Sequence, residues 1–190
     1  MDLYDAPKPT ASARDLVAPR PGGRSARFAR MKDPDRAIRG EVVVASDLES
    51  AWDAWTTREG IRTFFAPDAN IELRVGGAYE IFFDPSAEPG RKGGDGMCLL
   101  AVQPHKMISF TWNAPPSLPE AREQRTSVQV RFFEAAAGHT RVTLFHSGWG
   151  EGGEWDKAFD YFERAWNAIV LPRLARRFAE GPIDWEKIGE

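Results

Sequence analysis

The sequence predicts an α+β domain in which a curved antiparallel sheet of about six or seven strands wraps around one long C-terminal helix. Two short helices are expected after the first strand. The prediction rests on runs of alternating apolar and polar residues through most of 69–147, and on an amphipathic segment that follows them. Consecutive strands joined by turns form an antiparallel sheet that buries one face, and the long helix has the apolar surface to cover it.

The long helix is expected over residues 154–180 and ends before Gly181-Pro182. Its apolar residues recur at three- and four-residue steps, so they share one face. Pro172 cannot donate a backbone hydrogen bond, which predicts a kink just before it. Straight-helix geometry would also bring Arg173 and Arg177 onto the apolar face. The apolar residues of this face are Trp155, Phe159, Phe162, Trp166, Ile169 and Val170.

The first part of the domain carries one strand and two helices. β-branched residues predict a strand over 41–45, within a domain that begins near residue 38. Ser46 or Asp47 is expected to cap the helix that follows. Gly60 interrupts that helix, and apolar residues beyond it imply a second short helix that ends at Pro67.

Strands dominate from residue 69 onward. Apolar residues alternate with charged ones over 71–75, which predicts a half-buried strand that includes Leu73 and Val75. Gly76-Gly77 is expected to form a two-residue hairpin turn into a return strand over 79–83. Three later strands alternate in the same way, with the inward sets Ile108, Phe110 and Trp112, then Val128, Val130 and Phe132, then Val142, Leu144 and His146.

Composition restricts the classes of function. Residues 1–37 contain five Pro and scattered Arg without an apolar period, which predicts a flexible basic arm ahead of a domain over 38–190. The formal net charge of −3 argues against nucleic-acid binding. We also expect no membrane association, since no apolar run approaches the ~20 residues of a membrane span. Cys98 is single, which is consistent with the cytoplasm. Monomer and homodimer both remain open.

Several segments together resemble a known superfamily. They are the helix segment DLESAWDAWTT at 47–57, the strand pair around Gly76-Gly77, the strand end at 110–112, and VTLFHSGW at 142–149 before the last helix. This arrangement resembles the START-like helix-grip (SRPBCC) superfamily, and within it the branch related to the activator of the heat-shock-protein-90 ATPase. The resemblance covers about residues 39–180. It implies a helix-grip fold, in a superfamily that includes lipid and hormone carriers, aromatase/cyclases and co-chaperone domains.

The sequence offers no motif for a metal, a cofactor or a nucleophile, and we expect none of these. His146 is the one residue that could carry chemistry on the helix-facing side of the sheet. It could orient a polar ligand group or act as an acid or base. Alternatively, it is a core histidine whose nitrogens are satisfied by backbone or by Tyr79. Tyr79 and Trp112 would also need hydrogen-bond partners if buried.

The leading functional hypothesis is a protein that binds a hydrophobic or aromatic small molecule between the sheet and the last helix. The alternatives are a chaperone-associated interaction module, as the resemblance implies, and a cyclase- or hydrolase-type enzyme that uses His146. A cavity of ~300 Å³ or more favours the ligand, whereas a filled core with an exposed apolar patch favours docking. The predicted cavity lining is Tyr79, Phe83, Trp112, Val130, His146, Phe162 and Trp166.

Overall fold

The computed structural model describes residues 36–187, and they form an α+β fold. This part of the chain contains seven strands and a long C-terminal helix, as predicted. The elements are β1 (Ile38–Val44), α1 (Leu48–Thr56), α2 (Arg58–Arg62), β2 (Asp68–Ile71), β3 (Tyr79–Phe82), β4 (Leu99–Gln103), β5 (Met107–Trp112), α3 (Pro119–Arg122), β6 (Thr126–Ala136), β7 (His139–Ser147), α4 (Gly153–Arg164), a π-helical segment (Ala165–Val170), α5 (Leu171–Glu180) and a 3₁₀ turn (Trp185–Lys187).

Five of the described strands form one antiparallel sheet in the order β1-β7-β6-β5-β4. Strands β2 and β3 form a second, two-stranded sheet, which an isolated bridge between Ala78 and Cys98 links toward β4. In the large sheet His146 of β7 lies opposite Val128 of β6 and Ile38 of β1. This register places His146 on the same buried face as the apolar core.

The predicted alternation is confirmed on β5, β6 and β7. All nine predicted inward residues of these strands are buried, because they face the C-terminal helix and the two short helices. Two helices, α1 and α2, do follow the first strand, and Asp47 caps α1 by accepting a hydrogen bond from the backbone of Ser50 at 2.7 Å. The fold class is therefore the one that the sequence predicts.

The C-terminal helix is continuous from residue 153 to 180, but its middle turn is wider than an α-turn. In the π-helical segment the backbone N–H of Leu171 donates to the carbonyl of Trp166, five residues earlier. The irregularity therefore lies just before Pro172, where the sequence predicts a kink. Because a π-turn holds one more residue than an α-turn, the buried face passes through Leu171 to Leu174.

Straight-helix geometry is accordingly wrong from this turn onward. Ile169, predicted on the apolar face, is 39% exposed, while Val170 is buried. Arg173 and Arg177 lie at the edges of the buried face and are only partly buried. Close approach to the sheet is possible here because Gly40 of β1 has no side chain: a Cβ at that position would lie 2.6 Å from a side-chain atom of Leu171.

The strand predicted over 71–75 is wrong beyond its first residue. Strand β2 ends at Ile71, and Leu73 and Val75 are 45% and 65% exposed. The Gly76-Gly77 segment does not close a two-residue hairpin, because its backbone bonds with Leu99 of β4 instead. Those bonds, at 2.8 and 2.9 Å, direct the chain toward the large sheet.

The arm predicted over 1–37 lies outside the described residues except for Arg36 and Ala37. The Arg36 guanidinium donates to the carboxylate of Asp156 on α4 and lies 4.2 Å from the centre of the Phe159 ring. The arm as a whole therefore stays a prediction.

Candidate functional site

Both ring nitrogens of His146 are engaged by neighbouring side chains. The indole Nε1–H of Trp166, on the C-terminal helix, donates to His146 Nδ1 at 3.0 Å. The other nitrogen, Nε2, lies 2.7 Å from the hydroxyl of Thr126 on β6. That hydroxyl lies 3.2 Å from the carbonyl of Trp112 and donates to it. One alternative from the sequence named backbone groups or Tyr79 as the partners of His146. The partners are instead the side chains of Trp166 and Thr126.

This geometry fixes the tautomer of the imidazole. An indole N–H can only donate, so Nδ1 must be the acceptor and the proton of the neutral ring lies on Nε2. Burial lowers the pKa of His146 from 6.5 to about 3, so the ring stays neutral near pH 7. Its basic lone pair is already occupied by Trp166. His146 therefore ties the helix to the sheet, and it does not offer a free base to a substrate.

Two more of the predicted cavity residues belong to the packed interior. The Tyr79 hydroxyl donates to the carbonyl of Trp55 at 2.9 Å, and burial raises the pKa of this phenol. Val130 is fully buried between Ile108 and Leu144, its neighbours on β5 and β7. None of Tyr79, Val130 and His146 lines either cleft described below.

The remaining predicted residues meet in an aromatic cluster at the edge of the core. The rings of Trp112 and Trp166 have centroids 5.8 Å apart, and Phe65 packs against both, at 6.0 and 5.5 Å. Phe162 stacks on Trp166 at 6.5 Å, and Phe83 meets Trp112 edge-on at 6.5 Å. The structure thus brings together Phe83, Trp112, Phe162 and Trp166.

This cluster borders an open cleft, which we call the helix cleft. Its floor consists of the buried rings of Phe65, Trp112 and Trp166. Its rim consists of Phe83, Tyr161 and Ile169, which are 48%, 52% and 39% exposed. The cleft has a volume of about 180 Å³. Phe83 was predicted to face inward with Tyr79, but it follows the end of β3 at Phe82 and lies at the rim instead.

A second cleft of about 180 Å³, which we call the loop cleft, adjoins the first. Both clefts are bordered by Trp112 and Phe162. The loop cleft continues to Pro115 and Pro116 in one loop and to the charged pair Arg91 and Lys92 in the other. An elongated apolar group could therefore extend from one cleft into the other.

The walls of the loop cleft are held by one carboxylate and one guanidinium. Asp95 accepts hydrogen bonds from the backbone N–H groups of Gly90 and Gly93, both at 2.9 Å. Arg122 donates to the carbonyls of the same two glycines, at 2.8 and 2.9 Å, and to that of Ala114. The Gly-rich segment GRKGGDG is therefore a structural loop centred on Asp95.

Arg173 is the charged residue that borders the helix cleft. Burial lowers the pKa of this guanidinium, because the surrounding protein groups stabilise its positive charge less well than water does. Trp112, in the floor, has a buried indole N–H without a hydrogen-bond partner among the described residues. The site thus combines apolar walls with few polar groups, as small-molecule sites do.

Sequence reasoning missed Phe65, Tyr161 and Ile169 as cleft residues. Phe65 was assigned only to a short helix, and Tyr161 lies on the charged side of a straight helix. The signal that could have identified Phe65 is its place in a Phe-Phe pair just before Pro67, which fixes the end of the helical region.

Two negative findings apply to residues 36–187. No three His, Cys, Asp or Glu side chains in this part of the chain are grouped so that they could hold a metal ion. None of its helices has the length and apolar character to cross a membrane.

Comparison with known families matches residues 45–179 to the family described as "Activator of Hsp90 ATPase homolog 1-like protein". The match covers most of the chain and includes every residue of the two clefts. Comparison with curated proteins gives no match.

Several solved structures share the fold. Protein MLL2253 from Mesorhizobium loti is 22% identical, with a TM-score of 0.61 over 78% of this chain and 100% of its own. The Aha1 dimer from Colwellia psychrerythraea is 18% identical, with a TM-score of 0.58 over 76% of this chain and 97% of its own. An Hsp90 activator from Plasmodium falciparum is 15% identical, with a TM-score of 0.56 over 77% of this chain and 97% of its own. At these identities the likeness concerns the fold alone.

Proposed function

This chain belongs to the activator of Hsp90 ATPase homolog 1-like family, and within it we propose that the chain binds a hydrophobic or aromatic small molecule. The observation that carries the proposal is the helix cleft, where the exposed apolar rim residues Phe83, Tyr161 and Ile169 border an opening above three buried aromatic rings. Covering apolar surface of this kind contributes about 25 cal/mol of binding free energy for each Å² that the ligand removes from water.

The proposed site differs from the enclosed cavity that the sequence suggests. The interior around Tyr79, Val130 and His146 is filled, so the ligand would enter from the edge, between β3, β5 and the C-terminal helix. Each cleft is smaller than the ~300 Å³ of typical ligand pockets. The two adjoin, however, so an elongated ligand can use both.

Binding of the neutral fluorescent probe N-phenyl-1-naphthylamine tests this proposal. We expect a saturable, one-to-one increase in probe fluorescence with the full chain. Ile169→Gln and Phe83→Ser should weaken binding roughly fivefold or more, because each puts a polar group on the rim.

Val43→Gln and Phe145→Ser provide matched controls. Val43 and Phe145 are exposed to a similar degree, at strands β1 and β7, and neither borders a cleft. Both variants should bind the probe as the unmodified chain does. Equal loss in rim and control variants, or no saturable binding at all, would contradict the proposal.

A chaperone-docking module is a second candidate function. The rim residues Phe83, Tyr161 and Ile169 expose apolar surface that a protein segment could cover, and contiguous exposed apolar surface is typical of interaction sites. The family and the fold shared with an Hsp90 activator support this candidate. It predicts that the full chain raises the ATPase rate of a purified Hsp90-type chaperone and that Ile169→Gln removes the increase. An unchanged ATPase rate would exclude it.

We also propose a cytoplasmic location, which the single cysteine supports. Oligomeric state is proposed as monomer or homodimer, since one of the structures of similar fold is a dimer. Size-exclusion chromatography with light scattering distinguishes these two states, and a higher oligomer would contradict both.

A further inference from the structure

Arg173 is the cation at the boundary between apolar and polar surroundings. Its side chain borders the helix cleft on one side and a polar depression of about 570 Å³ on the other. The centre of its guanidinium lies 5.4 Å from the centre of the Trp185 ring, in the 3₁₀ turn. Trp185 is itself fixed, because its indole N–H donates to the carbonyl of Arg62 at 2.6 Å.

Among the described residues, Arg173 has no carboxylate partner. The neighbouring charges of the polar depression are paired with each other: Arg176 with Glu180, and Lys187 with Asp184, both at 2.7 Å. The pairing leaves Arg173 as the unneutralised cation of that group. Burial also lowers the pKa of its guanidinium, so an anion beside it would stabilise its charged form.

We propose that the ligand of the helix cleft is an amphipathic monocarboxylate, whose apolar chain lies on the aromatic floor and whose carboxylate binds Arg173. This inference rests on the proposed small-molecule function and specifies the class of ligand. The guanidinium suits a carboxylate because it can donate two parallel hydrogen bonds, and a face stacked on an aromatic ring leaves those donors free. The apolar residues and this cation line the same cleft, which matches the two parts of such a molecule.

The loop cleft provides no equivalent site. Arg91 and Lys92 border it, but Asp84 borders it as well and offsets part of their charge, and Arg91 is exposed, so its guanidinium stays hydrated, whereas Arg173 is partly buried. The carboxylate is therefore assigned to Arg173, and the apolar part of the ligand to the helix cleft and to the residues Trp112 and Phe162 that border both clefts.

Titration of the full chain with octanoate and with octanamide at pH 8 tests this inference. The two probes share one apolar chain, and octanoate is fully ionised at this pH. Neither absorbs where tryptophan is excited, so intrinsic fluorescence reports binding. We expect octanoate to bind roughly tenfold more tightly than octanamide, since a hydrogen bond to a charged group contributes more than a neutral one.

Three variants test whether Arg173 causes the preference for octanoate over octanamide. Arg173→Gln should bring the two affinities within about twofold, whereas Arg173→Lys should keep part of the preference as a point charge. Arg176→Gln is the matched control: Arg176 is exposed and paired with Glu180, so the preference should be unchanged.

Equal binding of octanoate and octanamide by the unmodified chain would overturn the inference and leave the small-molecule function intact. A preference that persists in Arg173→Gln would overturn the assignment to Arg173. Binding of neither probe would overturn the inference as well, and the neutral fluorescent probe then decides separately whether the cleft binds small molecules.

Discussion

The neutral, buried state of His146 makes the stability of this protein depend on pH in a defined window. Its pKa is about 3 in the folded protein and near 6.5 in the unfolded chain. The unfolded state therefore takes up a proton as the pH falls below 6.5, while the folded state does not. Stability must fall with pH from about 6.5 down to about 3, at up to ~1.4 kcal/mol per pH unit.

The perturbation that isolates this effect is His146→Gln, because glutamine is neutral at every pH. At pH 5 the unfolded chain is 1.5 pH units below the ordinary pKa of histidine, so the unmodified protein should lose about 2 kcal/mol relative to pH 7. The variant lacks this loss. Carboxylates such as Asp47 and Asp68, whose pKa values are lowered, remain ionised in both states at pH 5 and contribute little to the difference.

Urea unfolding followed by tryptophan fluorescence at pH 7 and pH 5 measures the free energies of unfolding. The free energy of the unmodified chain should drop by about 2 kcal/mol more than that of His146→Gln. His139→Gln is the matched control, since His139 is exposed and its replacement should leave the drop unchanged. Equal drops in the unmodified chain and in His146→Gln would refute the buried, neutral imidazole.

Two further predictions concern the packing around the clefts. Gly40→Val should lower the free energy of unfolding by about 1–3 kcal/mol, because its side chain would overlap that of Leu171. Ala45→Val, at an exposed position just after β1, should have little effect, and equal losses in the two variants would contradict this reasoning. Asp95→Asn should speed amide hydrogen exchange in the loop 84–96, because the loop loses the carboxylate that accepts hydrogen bonds from the backbone N–H groups of Gly90 and Gly93. Unchanged exchange in this loop would contradict the structural role of Asp95.

The fold was predictable because its signals are local and repeated. Alternation on β5, β6 and β7 and the amphipathic C-terminal segment together specify a sheet with one buried face and a helix that covers it. The prediction over 71–75 failed because Leu73 and Val75 alternate like a strand, while long-range bonds between the Gly76-Gly77 backbone and Leu99 decide the path of the chain.

The site was predictable only in part, for two physical reasons. Periodicity shows which residues face the helix, but it does not show whether the space between them is filled, and the rings around His146 do fill it. The π-turn changes the phase of the helix, so the exposure of Ile169 and the partial burial of Arg173 do not follow straight-helix periodicity. Residues from separate elements, such as Phe65 and Tyr161, meet only in three dimensions.

The most direct test of the cleft as a binding site is a titration of ¹⁵N-labelled protein with octanoate, observed at the indole N–H signals of its seven Trp residues. Trp112 and Trp166 form the floor of the helix cleft, while Trp52 packs against Phe132 and His105 and borders neither cleft. We predict saturable shifts of the Trp112 and Trp166 signals with the Trp52 signal unmoved. Static Trp112 and Trp166 signals, or equal shifts at Trp52, would contradict the central claim that this cleft binds a small molecule.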